Sequence, residues 1–150
     1  MYQLILIPII VGALTQAIKL IIDGIPNNFT WQHLISDYGG MPSAHTAFVA
    51  SLATVVGLTE GLNSAVFAVA LVLLAIVIRD AVGFRREIGH NAVFTNVVAQ
   101  VVFKNLPPMT KQKIEFLNEE MGHSVVEVAA GLIIGGALSV MLYFLFLLII

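Results

Sequence analysis

His123 and Glu127 stand four residues apart in GHSVVEVAAG, where the chain enters a long apolar run. Residues at i and i+4 share one face of a helix, so the carboxylate can hold one imidazole nitrogen and leave the other aimed outward with its lone pair free. That is the arrangement of a nucleophile or a base. The plainer alternative is a surface pair decorating a helix start. It loses weight at the edge of a spanning segment, where an ionisable group is costly and function is its default reading. His45 stands in GGMPSAHTA, residues 39 to 47. Gly39 and Gly40 let the backbone turn and approach, Pro42 suits a first helical turn, and the first free N–H groups, near Ser43, favour an anion such as phosphate. Its plainer alternative is a Pro-Ser helix start with His45 packed at headgroup level. RDAVGFRREIG supplies cations: Arg79, Arg85 and Arg86 can bind phosphate oxygens through paired donors, although arginines flanking a span also set topology or touch anionic lipid. Asp80 is expected to pair with one of them, Lys19 to join the cations or to snorkel, and His33 and His90 to be structural.

The elements that must position these groups follow from composition. Of 150 residues 59% are hydrophobic and 11% charged, and mean hydropathy is +0.97, which excludes an ordinary soluble domain. The expected fold is all-α, a polytopic membrane helix bundle forming one domain over residues 1–150, with about four spanning helices. These are Leu4 to Ile22, Pro42 to Leu58, Ser64 to Ile78, ending abruptly at Arg79-Asp80, and Val125 to Ile150. The N-terminal MYQLILIPIIVGALTQ lacks a basic leader and cleavage pattern and reads as a retained span. One or two interfacial or amphipathic helices are expected between the third and last spans. HNAVFTNVVAQVVF and the lysine after it place Asn96, Gln100 and Lys104 at every fourth position, and residues 110–121 place Ile114, Leu117 and Met121 at i, i+3 and i+7. Gly131-xxx-Gly135 is a small-residue contact face that could join helices or copies of the chain.

No cysteine is present, so thiolate and Cys-zinc chemistry are excluded, and a net charge of −2 gives no footprint for nucleic acid. The loop after the third span holds Arg85, Arg86, Lys104, Lys111 and Lys113, while the turn between the second and third spans holds only Glu60. The positive-inside rule then places the first and third loops in the cytoplasm. In that arrangement Lys19, His45, Arg79, Asp80, Arg85, Arg86, His123 and Glu127 all converge on the cytoplasmic face of the membrane.

MPSAH, DAVGFRR and GHSVVEVAAG, in this order between apolar spans, resemble the divergent branch of the type 2 phosphatidic acid phosphatase superfamily, relatives of acid phosphatases and vanadium-dependent haloperoxidases. The resemblance runs from about Gln16 to Gly135. It implies hydrolysis of a lipid phosphate or isoprenoid diphosphate through a phosphohistidine on His123, with Glu127 orienting that ring and His45 as general acid. Arg85, Arg86, Ser43 and, with them, Lys19 and Arg79 would bind the phosphate, supported by Asp80, Gly39, Gly40, Pro42 and Gly122. It implies neither a metal nor a cofactor. The pattern departs from the superfamily in four places. No Arg-Pro follows Lys19 beyond Ile25-Pro26, Ala44 replaces a glycine, Leu117 stands where an arginine precedes the histidine by six, and Glu127 replaces aspartate. The arginine role therefore falls to Arg85-Arg86. Fewer helices than the superfamily's six imply that a second copy, in a homodimer or higher homo-oligomer, completes the groove. The alternative function is non-catalytic binding of anionic lipid head groups, with the Gly131/Gly135 face mediating assembly.

Overall fold

Apolar runs as long as those above must hydrogen-bond their own backbones in lipid, and helices are the open-ended solution. In the computed structural model, which describes residues 2–23, 40–104, 116–119 and 121–149, the chain forms α1 (Gln3–Asp23), α2 (Ala44–Glu60), α3 (Ala65–Arg79), a π-helical turn (Asp80–Phe84), α4 (Arg85–Lys104) and α5 (Val125–Ile149). His33, Gly39, Lys111, Lys113 and most of the amphipathic segment at 110–121 lie outside the described residues.

The protein is a helical membrane bundle. Three of the described helical stretches are long and apolar enough to cross a bilayer, Gln3–Ile22, Ala65–Val102 and Val125–Ile149. The second expected span differs. α2 has only 17 residues, and its composition of Ala, Ser, Thr and Val serves contact rather than lipid, for it sits at the centre with α1, α3 and α5 packed around it. Thr46, Ala47, Ala50, Ser51, Ala53, Val55 and Val56 are buried in those contacts. Ile7, Val11 and Val55 form one core cluster and Ala53, Val56 and Ala70 a second.

The pairing of α2 with α5 shows why small residues were needed. A Cβ added at Gly131 would come within 2.5 Å of the Ser43 carbonyl, and one at Gly135 would overlap the Ala47 backbone. One turn further on, Ser139 donates to Ser51 at 2.6 Å. Residues 43, 47 and 51 of one chain segment thus face 131, 135 and 139 of the other in steps of four, the close approach that small-xxx-small faces permit. The Gly131/Gly135 face is consumed inside the chain, which overturns its expected role in assembly.

The third span does not stop at Arg79-Asp80 as expected. It continues through the π turn into α4 as one 38-residue stretch, Ala65–Val102, about 57 Å at 1.5 Å per residue. Charge ends a membrane span but not a helix. No proline intervenes, and the i→i+5 hydrogen bonding of the turn brings residues five apart together, so that Arg85 Nε meets Asp80 Oδ2 at 2.6 Å. The apolar piece at residues 90–103 is the far end of this helix rather than a separate one. Pro42 also differs from expectation: it precedes the N-cap Ser43 instead of occupying the first turn, and follows a cis Met41–Pro42 peptide bond.

Candidate functional site

The start of α5 is built from Ser124-Val125-Val126-Glu127, an S-x-x-E capping box. Ser124 N–H donates to Glu127 Oε2 at 3.0 Å and Glu127 N–H to Ser124 Oγ at 3.3 Å, each satisfying an otherwise orphaned donor. The same Oε2 lies 3.0 Å from His123 Nδ1, and the carboxylate also takes the Gly40 backbone N–H. Gly40 reaches it with φ at 125°, a conformation that suits glycine. One carboxylate therefore caps a helix, ties down the loop before α2 and fixes the imidazole. With Nδ1 as donor to the carboxylate, Nε2 carries the lone pair, and among the described residues no hydrogen-bond partner occupies it.

His123 is 6% exposed, and its backbone is held as firmly as its ring. Its N–H donates to the Ala81 carbonyl in the π turn at 3.1 Å. Gly122, at φ 95°, lies against Arg86 so closely that a Cβ would stand 2.6 Å from the Arg86 nitrogen. The segment leading in is pinned further back by Asn96, which donates to the Leu117 carbonyl at 2.8 Å and to Glu119 Oε1 at 2.7 Å and accepts from Leu117 N–H at 2.9 Å. Gly89 gives the same segment room, since a Cβ there would meet the Met121 carbonyl at 2.7 Å. Burial pushes the His123 imidazole below its ordinary pKa, against the upward pull of the Glu127 hydrogen bond and charge; Lys19 and His45 push it down as well. A neutral ring with an oriented lone pair is the result, a state suited to nucleophilic attack.

The remaining expected residues divide. His45, at the exposed start of α2, lies within electrostatic reach of Lys19, Asp80 and His123, so one end of the bundle gathers contributions from α1, α2, the π turn and α5. Arg85 is there too, half-buried and bonded to Asp80, the expected pairing of that acid. Arg79 is exposed and stacks 5.8 Å from the centre of the Phe84 ring. Arg86 is exposed, with only its backbone placed against the histidine loop. Ser43 serves otherwise than expected. It is fully buried: its hydroxyl meets Thr46 Oγ1 at 2.9 Å within the first turn of α2, and its N–H donates to the Glu127 carbonyl at 3.1 Å and joins α2 to α5. The Ala81 carbonyl leaves no side-chain signal in the sequence, and the spacing of Asn96 does not reveal the segment that it binds. The capping box in SVVE is legible from its residue types alone.

A helical membrane bundle whose one polar end presents a carboxylate-bound histidine, with a second histidine and several cations near it, defines the class of integral membrane protein to which the chain belongs. Within that class, residues 2–138 match the family described as the Divergent PAP2 family, and this chain belongs to it. It is similar to the uncharacterized membrane protein YuiD of Bacillus subtilis (strain 168), 35% identical over 140 residues and 88% of each chain. No solved structure matches.

Proposed function

We propose that this protein is a membrane-embedded phosphatase that removes the terminal phosphate of a lipid phosphate or isoprenoid diphosphate at the cytoplasmic membrane interface. The observation that carries the proposal is His123, whose Nδ1 is held by Glu127 while its backbone is held by Ala81, leaving Nε2 as an oriented nucleophile. Nε2 attacks phosphorus and the bond to the leaving oxygen breaks. His45 gives that oxygen its proton, and Glu127 stabilises the positive character on the His123 ring. Water, deprotonated by His45, then hydrolyses the phosphohistidine and restores both histidines. Arg85, oriented by Asp80, with Arg86 and Lys19, would neutralise the charge spread over the equatorial oxygens.

Binding of anionic head groups without turnover is the second reading. It is favoured by the capping box, which gives Glu127 a reason to exist with no catalysis at all. Phosphate release by the purified protein from phosphatidate, phosphatidylglycerophosphate and undecaprenyl diphosphate, with acid-labile phosphoenzyme trapping, separates the two. Vanadate-sensitive release that falls by about 10³-fold or more in His123→Ala is expected, in line with the loss of a nucleophile. Parental rates in His123→Ala would refute the mechanism, and head-group binding with neither release nor phosphoenzyme would establish the second reading.

A further inference from the structure

Beside the His123–Glu127 turn lies an apolar groove of about 470 Å³, open to the outer surface of the bundle. One wall is Val125, Val128, Ala129 and Leu132, an i, i+3, i+4, i+7 stripe of α5. The other is Ile78, Val82 and Gly83, from the end of α3 and the π turn. The groove exists because α5 meets the long helix chiefly at the π turn, while α3 packs against α2.

Three features say what fills it. The groove lies where the apolar surface of α3 ends, with Ile78 before the charged turn and Val82 and Gly83 within it, and its other wall opens the membrane-capable stretch Val125–Ile149, so it sits at the level where the head of a lipid meets its tail. The one charged group of the lining is Arg79, which complements an anion at the rim. The α5 stripe begins two residues after His123, and its Val128 follows Glu127 directly, so the apolar channel and the imidazole arise from the same turns of chain. An amphiphile with a phosphate head and a hydrocarbon tail matches both ends at once. The volume lies within the range of about 300–1,000 Å³ usual for small-ligand sites. From Val125 to Leu132 the wall runs about 10 Å, two helical turns.

We infer that this groove holds the head-proximal part of one hydrocarbon chain of the phosphate-bearing lipid, with Arg79 at its rim. The inference rests on the phosphatase reading for the position of the head group and is independent of turnover. Gly83→Leu tests it, because Gly83 lines the groove and a Cβ there meets nothing within 4 Å, so the position has room for a side chain. Ala129→Phe fills the groove from the opposite wall, and Ile133→Phe, on an exposed position of α5 outside it, is the control. Binding of dodecyl phosphate and of dodecanol to the full-length protein in detergent is measured by native mass spectrometry. Dodecyl phosphate binding is expected to weaken at least tenfold in Gly83→Leu and Ala129→Phe, to persist in Ile133→Phe, and to exceed that of dodecanol. Parental binding in both groove variants, equal binding of the alcohol, or no binding to the parent would overturn the inference. Selective loss of binding in a protein that releases no phosphate would instead refute the hydrolysis and leave the groove assigned.

Discussion

The first four turns of α5 contain two interfaces built on opposite principles. From Gly131 to Ser139 the helix meets α2 through absent side chains, with backbone against backbone and one hydroxyl pair between Ser139 and Ser51. From His123 to Glu127 the same stretch of chain meets its neighbours through polar contacts: His123 to Ala81, Glu127 to Ser124, His123 and Gly40, and Ser43 to Glu127. Lipid offers no hydrophobic drive between helices, so close packing of the first kind holds α2 and α5 in register. Register matters because Ser43, at the head of the small-residue ladder, bonds the Glu127 carbonyl. The tight interface therefore sets the position of the polar one.

The largest expected effect is on the first interface. Gly135→Leu places a branched side chain where the Ala47 backbone already lies, and backbone cannot move aside as a flexible side chain can. Overpacking typically costs about 1–3 kcal/mol, and a side chain driven against backbone falls at the upper end of that range. The expected outcome is loss of the folded, detergent-extractable protein, read as the disappearance of a cooperative thermal transition. Gly136→Leu is the comparison: its Cβ would meet only Thr54 Oγ1, at 3.8 Å, so it is expected to fold. If Gly135→Leu kept the parental transition, the two helices would not be in the contact described.

Glu127→Gln breaks the second interface without touching the first. Glutamine at the third helical position still completes a capping box, so α5 still starts at the same place. What is lost is the charge that holds His123. Turnover is expected to fall by on the order of 10³-fold, as when the carboxylate partner of a catalytic histidine becomes an amide. The pH profile gives a readout that a structural role alone would not move. The carboxylate raises the His123 pKa against burial, so its removal lets burial push the ring lower still, and the acid limb of the profile should move to lower pH. The direction for stability follows from the same shift. The folded pKa lies below the unfolded one, so the contribution of the neutral buried ring is complete above the ordinary imidazole range and is lost as pH falls through that range toward the depressed value. An acid limb that stayed in place or rose in Glu127→Gln would show that Glu127 does not act on His123.

These two interfaces were not equally legible in the sequence. Both pairs, Gly131-xxx-Gly135 and His123-xxx-Glu127, depend on helical spacing alone, so their existence could be read from residue numbers. The partner of the first is legible only as composition: the small residues Ala47, Ala50, Ser51 and Ala53 suit close packing, but nothing in them says which glycine face they meet. The gathering of Lys19, His45, Asp80 and His123 at one end follows from counting apolar runs, and it holds whether or not the 17-residue α2 is counted among the spans, since α2 lies among the other helices. The continuation of α3 into α4 is hidden for a different reason. Arg79, Asp80, Arg85 and Arg86 mark the end of an apolar surface, and in sequence that looks the same as the end of a helix. Only backbone geometry could show that a π turn places Asp80 beside Arg85 and turns the Ala81 carbonyl toward His123.

The smallest expected effect sharpens the comparison most. Ser139 Oγ lies 2.6 Å both from Ser51 Oγ and from the Gly135 carbonyl of its own helix, so its hydroxyl has a partner even when α2 is absent. For that reason Ser139→Ala should cost little, about 0.6 kcal/mol, the average for a hydrogen bond between membrane helices whose groups find other partners when the helices part. Ser51→Ala should cost a similar amount, and the double variant scarcely more than either, since each removes the same bond. Thermal or chemical unfolding in detergent of the two single variants and the double one closes the cycle. A coupling well above 1 kcal/mol would mean that the hydroxyl pair, and not the fit of Gly131 and Gly135 against Ser43 and Ala47, holds α2 to α5. In that case the polar end of α5 would differ from its packed middle in the residues used and not in the principle.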